Sequence, residues 1–137
     1  MAATFELELV SPEKLLLSRP VEMATIPAWE GDMGILPGHS PMVVALKGGI
    51  IRVRENGAET ERLFVMGGFA EITPERVTVL ADEATPVTEL SRAEAESRLS
   101  EAEAALTAAA AEPEAVRDRV MDRLLAARAM RDAASAA

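Results

Sequence analysis

The distribution of glycine and proline along the chain constrains its fold more than any other feature. All eight glycines and seven of the eight prolines lie before residue 89, whereas residues 89–137 contain no glycine and one proline, Pro113. Glycine and proline mark the turns between short strands and interrupt helices. The sequence therefore predicts a strand-rich domain over residues 1–88 and a helical segment over residues 89–137.

Residues 1–88 have the pattern of short strands separated by tight turns. Phe5, Leu7 and Leu9 alternate with glutamates, as expected of a strand with one buried face. Further apolar segments lie near residues 21–26, 42–46, 50–54, 62–66, 69–72 and 76–80. The turn sequences between them include Pro37-Gly38, Gly48-Gly49, Asn56-Gly57, Gly67-Gly68 and Thr73-Pro74. This pattern favours an antiparallel β-sandwich or barrel.

Residues 89–137 have the spacing of two helices joined by a short turn. Ser91 and Glu94 fit a capping box, in which each side chain bonds a free backbone N–H of the other. Pro113 fits the first position of a second helix, where its missing N–H is harmless. Two apolar seams repeat at spacings of three and four: Ala95, Leu99, Ala102 and Leu106, then Val116, Val120, Leu124 and Ala127. Two helices of about 20 residues joined in this way predict an antiparallel hairpin.

Both seams are rich in alanine, so they bury little apolar surface. A buried methylene contributes roughly 0.8 kcal/mol, so alanine pairs add little to stability. We therefore expect the hairpin to be held weakly, both to itself and to the sandwich. A weakly docked element is either a moving part or a poorly packed tail, and the pattern alone does not decide between them.

Charge is distributed unevenly between the two arms of the hairpin. Residues 89–112 carry six acidic residues and two arginines, whereas residues 113–137 carry four acidic residues and five arginines. At 100° per residue, Arg117, Arg128 and Arg131 fall within or beside the stripe formed by the second seam. Arginines in that position favour a partner that presents carboxylates or phosphates. A solvated basic face on an alanine-rich helix is the simpler alternative.

The overall composition excludes several classes of protein. A net charge of −9 disfavours nucleic acid and anionic lipid, both of which attract Lys and Arg. The absence of cysteine removes disulfides and thiolate metal sites. No apolar run approaches the ~20 residues of a membrane span, and Glu6 and Glu8 interrupt any signal peptide. We expect a soluble or peripheral protein with no direct membrane insertion.

The stretch GDMGILPGHSPMVVALKGG, residues 31–49, holds five of the eight glycines and the only histidine. It lacks the spacing of a phosphate-binding loop, and its two prolines remove N–H groups that a phosphate would use. A zinc site needs more ligands than His39 alone, and Ser40, its neighbour, is badly placed as the nucleophile of a catalytic triad. The stretch therefore predicts a stiff turn that displays Asp32 and His39 to a partner. An enzyme built on those two residues is a competing hypothesis.

Three stretches of the chain resemble the ε subunit of the bacterial F-type ATP synthase. They are FELELVSPEKLLLS at residues 5–18, GDMGILPGHSPMVVALKGGIIRV at residues 31–53 and FVMGGFAEITPERVTVLADEA at residues 64–84. Their order and spacing are similar to those of the family along the first 88 residues. The helical tail resembles that of the family in its length and helical pattern more than in the identity of its residues. The resemblance implies a β-sandwich of about ten strands followed by a helical hairpin.

The resemblance also implies a role for residues 1–88. In the family, the subunit is a non-catalytic rotor part of the central stalk on the cytoplasmic face of the bacterial inner membrane. Its sandwich binds the γ subunit and the c-ring and couples them in proton-driven ATP synthesis. It has no catalytic residue, no metal and no nucleic-acid partner. The loop that faces the ring corresponds here to Gly31, Asp32, Gly34, Pro37, Gly38, His39 and Ser40.

For residues 89–137, the resemblance implies regulation. In the family, the hairpin either lies folded against the sandwich or extends along γ towards the catalytic head. In the extended position it restrains ATP hydrolysis. The residues that would contact the α and β subunits of the head are Arg117, Arg128 and Arg131.

An ATP-sensing module is the alternative function, because some members bind ATP at the folded hairpin through a motif I/L-D-x-x-R-A. The aligned residues here are Thr88-Glu89-Leu90-Ser91-Arg92-Ala93. Arg92 and Ala93 match the motif, whereas Glu89 replaces aspartate and Thr88 replaces the aliphatic residue. ATP, held through Glu89, Arg92 and Ala93, is the one cofactor that the resemblance raises.

Overall fold

A computed structural model of the chain describes residues 3–136, in which ten strands precede two long helices. The strands are β1 Phe5–Val10, β2 Leu15–Val21, β3 Met23–Ala28, β4 Gly31–Ile35, β5 Met42–Leu46, β6 Gly49–Glu55, β7 Ala58–Val65, β8 Gly68–Ile72, β9 Arg76–Ala81 and β10 Ala84–Pro86. A 3-10 turn at Val87–Glu89 leads to helices α1, Arg92–Ala108, and α2, Glu114–Ala136. The predicted β-sandwich followed by a helical hairpin is confirmed.

The strands form one sheet that folds over on itself around an aliphatic core. Their order along the sheet is β10-β7-β6-β3-β5-β8-β9-β1-β2, and β4 pairs with β3 beside this path. The two halves of the sheet meet at β3, which pairs with β6 and β4 and, through Ala28 and Leu46, with β5. Fully buried side chains from both halves fill the core, among them Leu7, Ile26, Ile35, Val53, Val65, Ile72 and Val79.

One pair of neighbouring strands differs from the antiparallel prediction. β1 runs parallel to β9, with Leu7 opposite Val77 and Leu9 opposite Val79. The other pairings in residues 3–136 are antiparallel, including that of β1 with β2. Alternation within a segment indicates which face is buried, but it carries no information about the direction of a partner far along the chain.

Three strands lack clear apolar alternation, and the pattern alone does not predict them: β2, β4 and β10. β2 and β10 are the two ends of the sheet order, and each contains a proline, Pro20 and Pro86. Proline is tolerated at a sheet edge, because one side of an edge strand has no neighbouring strand to which a backbone N–H could donate. β4 contains two glycines and lies within the stretch expected to be a turn. The turn therefore begins only after Ile35.

The turn between β7 and β8 requires glycine. Gly67 and Gly68 have φ of +124° and +131°, a region that other residues rarely adopt. A Cβ atom on Gly68 would also lie 2.1 Å from the carbonyl oxygen of Leu80. This double glycine therefore allows β8 to enter the sheet tightly against β9.

An ion-pair network ties the edge strand β2 to the opposite half of the sheet. Arg19 donates through Nε and Nη2 to Oε1 of Glu55 at 2.9 and 2.7 Å, and Nη2 also reaches Glu61 at 3.2 Å. The Thr60 hydroxyl donates to the same Glu55 oxygen at 2.7 Å. These bonds, first that from Arg19, hold the pKa of Glu55 below its ordinary value. The network thus closes the sandwich where β2 has no further strand partner.

The helices begin close to the predicted positions. The Ser91 hydroxyl accepts the N–H of Glu94 at 3.1 Å, so one half of the capping box forms. The other half does not, because the Glu94 carboxylate accepts instead from Arg98 at 2.9 Å. α2 begins at Glu114, the residue after Pro113, whose carbonyl accepts the N–H groups of Val116 and Arg117.

The helices pack through much of the predicted seam, and α2 also has a second buried face. The contact between the helices is formed by Leu99, Ala102, Leu106, Leu124 and Ala127. Val116 and Val120 are only half-buried, contrary to their expected place in the seam. Three buried residues of α2 lie outside the predicted seam: Ala126, Met130 and Ala133. They are buried because α2 packs on the sandwich as well as on α1, and the pattern allowed for one neighbour only.

Candidate functional site: a corner, an apolar row and a docked hairpin

Backbone bonds hold the corner between β4 and β5. Gly38 has φ of +85°, which glycine adopts without strain. Its N–H donates to the Pro74 carbonyl at 2.8 Å and so ties the corner to the turn between β8 and β9. The His39 N–H donates to the Leu36 carbonyl at 3.3 Å and closes the turn itself. The corner is therefore fixed at two points, as expected of a rigid contact surface.

The predicted ring-facing residues divide between strand and turn. Gly31, Asp32 and Gly34 lie in β4, whereas Pro37, Gly38, His39 and Ser40 lie in the turn. Asp32 and Ser40 are exposed, and His39 is half-buried with Nδ1 2.8 Å from the Ser40 carbonyl oxygen. Within residues 3–136, no three His, Cys, Asp or Glu side chains are grouped as metal ligands would be.

Leu36 adds an apolar group to this corner that the sequence reasoning missed. Its side chain is 57% exposed, whereas the neighbouring Ile35 is fully buried. Two adjacent aliphatic residues give no sign of which one faces the core. The corner therefore combines exposed polar groups with one apolar anchor.

An apolar row crosses the outer face of five neighbouring strands, β5, β8, β9, β1 and β2. The residues in register along it are Ala45, Phe69, Leu80, Val10 and Leu15. Phe69, Leu80 and Leu15 are 58%, 54% and 56% exposed, and Val43 on β5 is 68% exposed beside the row. A contiguous exposed apolar surface of this kind marks a place where another protein binds.

The hairpin lies folded against the outer face of β6 and β7. Phe64 is only 2% exposed, because Ala95, Met130 and Ala133 of the helices pack over it together with Val87. Ile50 and Met66 border this cluster. We call this arrangement of α1 and α2 the docked hairpin.

Gly48 allows α2 to approach the sandwich closely. A Cβ atom on Gly48 would lie 2.6 Å from Cα and 2.8 Å from Cβ of Ala126. Real Cβ atoms do not make contacts this short, so the backbone of α2 packs against the turn between β5 and β6 only because residue 48 has no side chain. The predicted Gly48-Gly49 turn thus has a second role that its sequence does not reveal.

A bidentate ion pair also joins the hairpin to the sandwich. Arg98 of α1 donates to both carboxylate oxygens of Glu83, in the turn between β9 and β10, at 2.9 and 2.7 Å. It donates to Glu94 as well, at 2.9 Å. These bonds, first that to Glu83, raise the pKa of Arg98. The pair adds a directional link to a docking interface that is otherwise apolar.

Comparison with known proteins places the chain in a family. Residues 4–87 match the family described as "ATP synthase, Delta/Epsilon chain, beta-sandwich domain". A protein of Granulibacter bethesdensis described as "ATP synthase epsilon chain" is 58% identical over 134 residues, which are 98% of each chain. This chain belongs to the ATP synthase epsilon chain family. A Rhodospirillum rubrum epsilon chain is 45% identical over 132 residues, 93% of this chain and 98% of that one.

Two solved structures of ATP synthases share the fold. A chain of the Euglena gracilis mitochondrial complex described as "OSCP/F1/c-ring in rotational state 1" is 29% identical, with a TM-score of 0.75 over 97% of this chain and 82% of that one. A chain of the Tetrahymena thermophila "central stalk/cring" structure is 14% identical, with a TM-score of 0.66 over 97% of this chain and 98% of that one, and it shows the fold alone. The similarity covers the sandwich and the hairpin together.

The candidate nucleotide residues of this epsilon-family chain lie around the start of α1. Glu89 ends the 3-10 turn, and Arg92 and Ala93 are exposed in the first turn of α1. Arg92 is 3.6 Å from Glu96 on its own helix. One and a half turns later, Arg98 is already engaged by Glu83. Nucleotide binding at this place stays a prediction.

The candidate head-contacting arginines differ in their surroundings. Arg117 and Arg128 are exposed, whereas Arg131 is half-buried and 3.2 Å from Asp132. Met121 and Leu125, 39% and 41% exposed, lie between Arg117 and Arg128 on the same side of α2.

Neither helix in residues 3–136 is long and apolar enough to span a membrane.

Proposed function

We propose that this chain is a non-catalytic rotor subunit in the central stalk of a proton-translocating F-type ATP synthase, peripheral on the cytoplasmic face of the bacterial inner membrane. Residues 1–88 join the γ subunit to the c-ring, and residues 89–137 regulate ATP hydrolysis. The observation that carries the proposal is the apolar row, exposed on a chain whose relatives are ATP synthase epsilon chains.

The γ subunit is the partner proposed for the apolar row. Phe69 and Leu80 lie side by side in register near its centre, so a partner could bury both at once. The exposed Glu71 adjoins them on the same face, which favours a partner with basic residues around an apolar patch. A stalk that turns as one body needs such an interface, because exposed ion pairs alone contribute little to binding.

The corner between β4 and β5 is proposed to face the polar loops of the c-ring. Asp32, His39 and Ser40 offer hydrogen-bonding groups there, and Leu36 offers an apolar anchor. The bond from Gly38 to Pro74 ties the corner to the rest of the sandwich. A contact that transmits torque has to be stiff, and these backbone bonds supply stiffness without relying on flexible side chains.

Substitution in the apolar row tests the γ assignment. Phe69→Asp and Leu80→Asp should each weaken binding of purified γ at least tenfold, since a charge would be buried at the centre of the interface. Both side chains are exposed, so the fold should be kept, which circular dichroism would check. Ala58→Asp, which adds the same charge at an exposed position on β7, is the matched control. Unchanged binding by both row variants would reject the row as the γ surface, and no binding by the wild type would reject the rotor role.

The regulatory role of the hairpin is supported by the exposed stripe on α2. Arg117 and Arg128 flank Met121 and Leu125, a combination suited to an acidic surface with an apolar centre. We propose that this stripe meets the catalytic head when the hairpin is released from the sandwich. Arg131, bonded to Asp132, has a smaller part.

ATP hydrolysis by the reconstituted complex tests this role. The double variant Arg117→Glu and Arg128→Glu should raise hydrolysis several-fold over the wild type, as should deletion of residues 89–137. Arg119→Glu, an exposed charge reversal on the same helix, should leave it unchanged. Equal hydrolysis by the double variant and the wild type would remove the stripe from the inhibitory contact.

A further inference from the structure

A cleft lies between α2 and the turns at one end of the sandwich. Its volume is about 380 Å³, and its lining includes Asp122 and Arg123 of α2, Lys47 and Asp82 of the sandwich turns, and the aromatic residues Trp29 and Phe69. One wall is therefore the docked hairpin, and the other belongs to the sandwich.

The cleft is continuous with the apolar row. Phe69 belongs to both, and Ala45, the next residue of the row, also lines the cleft. Trp29 is 45% exposed, and its backbone N–H donates to the Ala45 carbonyl at 3.3 Å, so the backbone at Trp29 is joined to β5, the strand that carries Ala45. A protein that covers the row at Phe69 would reach the edge of α2 without leaving this surface.

The charges in the cleft have no partners of their own. Within residues 3–136, none of Lys47, Asp82, Asp122 and Arg123 is in an ion pair. Arg98 and Arg19, by contrast, are each bonded to two carboxylates. Unpaired charges of both signs beside two exposed aromatic rings suit a protein surface with complementary charges.

We propose that the γ-docking surface continues from the apolar row through this cleft onto α2, so that γ contacts the sandwich and the docked hairpin at once. The inference rests on the proposed function, in which γ covers the row. If docking of the hairpin raises the affinity for γ by some factor, then γ binding must raise the equilibrium constant for hairpin docking by the same factor. The central-stalk partner would in this way hold the regulatory element in its folded position.

Titration calorimetry with the full chain and purified γ tests the proposal. Arg123→Glu should weaken binding about three- to tenfold, since it reverses a charge at the edge of the interface. Arg119→Glu is the matched control, because Arg119 lies one turn earlier on the same helix and does not line the cleft. It should change the affinity less than twofold.

Undocking the hairpin provides an independent variant. Gly48→Val forces α2 away, because the added side chain would overlap the backbone at Ala126. In that background, Arg123→Glu should have no further effect on γ affinity. A second measurement is hydrogen exchange: γ should slow exchange of the α2 amides around residues 122–126 in the wild type but not in Gly48→Val.

The outcomes separate this inference from the function on which it rests. Phe69→Asp could abolish γ binding while Arg123→Glu leaves the affinity unchanged and γ leaves hydrogen exchange of the α2 amides unchanged. In that case γ covers the row, and only the present inference is overturned. If wild-type γ does not bind, both fail. If the full chain forms a dimer that Arg123→Glu dissociates, the cleft belongs to a second copy of this chain and the inference is likewise overturned.

Discussion

Arg98 and Glu83 are joined by two parallel hydrogen bonds of 2.9 and 2.7 Å, which link α1 to the turn between β9 and β10. The two residues are 15 positions apart in sequence, so the pair spans the connection between sandwich and hairpin. It is the directional element of a docking interface whose apolar part is formed largely by alanine, Met130 and Phe64.

Removing the ion pair should loosen the docked hairpin without unfolding the sandwich. For Arg98→Gln we expect a loss of about 1 kcal/mol in docking free energy, the upper range for a partly exposed pair. Salt screens such pairs, so raising the salt to about 1 M should weaken docking in the wild type but not in the variant. Hydrogen exchange of α2 would measure both effects. Arg92→Gln is the control, because Arg92 is paired within its own helix.

A single methyl group at residue 48 should disturb the same interface. Gly48→Ala places a Cβ atom 2.6 Å from the Ala126 Cα, and such overpacking typically costs about 1–3 kcal/mol. Trp29, the only tryptophan, lines the cleft beside Ala126, so its fluorescence should report the displacement of α2. Gly57→Asn, in a turn where an added Cβ meets nothing within 4 Å, should leave the spectrum unchanged. An unaltered Trp29 spectrum in Gly48→Ala would mean that the helix accommodates the methyl group.

The Arg19–Glu55 pair should make the sandwich sensitive to acid. The pKa of Glu55 is depressed in the folded state, so its stabilising contribution is present above its ordinary value of 4.5. That contribution is lost as the pH falls through the lower folded-state pKa. The melting temperature of the wild type should therefore decrease more steeply as the pH falls than the melting temperature of Glu55→Gln. Parallel curves for the two proteins would show that Glu55 does not carry this dependence.

The corner should depend on glycine at residue 38. Gly38→Val would force a β-branched residue to φ near +85°, a strain of about 1–3 kcal/mol. The strain should break the hydrogen bond to Pro74 and loosen the corner. We expect binding to complexes that contain the c-ring to fall while γ binding persists. Ser40→Ala is the milder comparison, because it removes a hydroxyl without straining the backbone.

Millimolar MgATP should leave the chain unaltered. Arg98 is already bonded to Glu83 and Glu94, and Arg92 carries no second cation beside it in the first turn of α1. A nucleotide would have to displace those carboxylates before an arginine could bind its phosphates. Calorimetry should therefore show no heat of binding, and the melting temperature should not rise. A saturable signal that disappears in Arg92→Ala would establish the ATP-sensing alternative instead.

Local patterns allowed the elements of this fold to be predicted better than its surfaces. The change from alternating segments to helical spacing located the sandwich and the hairpin, because both periods are properties of nearby residues. The apolar row was not predicted. Leu80 follows the buried Val79, and two adjacent aliphatic residues leave open which one faces outward.

The docking contacts were beyond sequence reasoning for a different reason. Gly48 is recognisable as a turn residue, but its contact with Ala126 depends on how two distant elements meet. Arg98 could equally have paired along its own helix, and it does bond Glu94 four residues earlier as well as Glu83. The corner at Gly38 was recognised because its requirement is local, a positive φ within a single turn.

The position of β1 has a consequence for how the chain folds as it is made. β1 is synthesised well before β9, yet it lies in the sheet between β2 and the parallel strand β9, which ends at Ala81. A strand pairing with so large a separation forms slowly, because a long loop must be closed first. The sandwich can therefore be completed only when nearly all of it has left the ribosome. The hairpin, whose contacts between helices are local, needs only the last third of the chain and should form quickly on a finished sandwich.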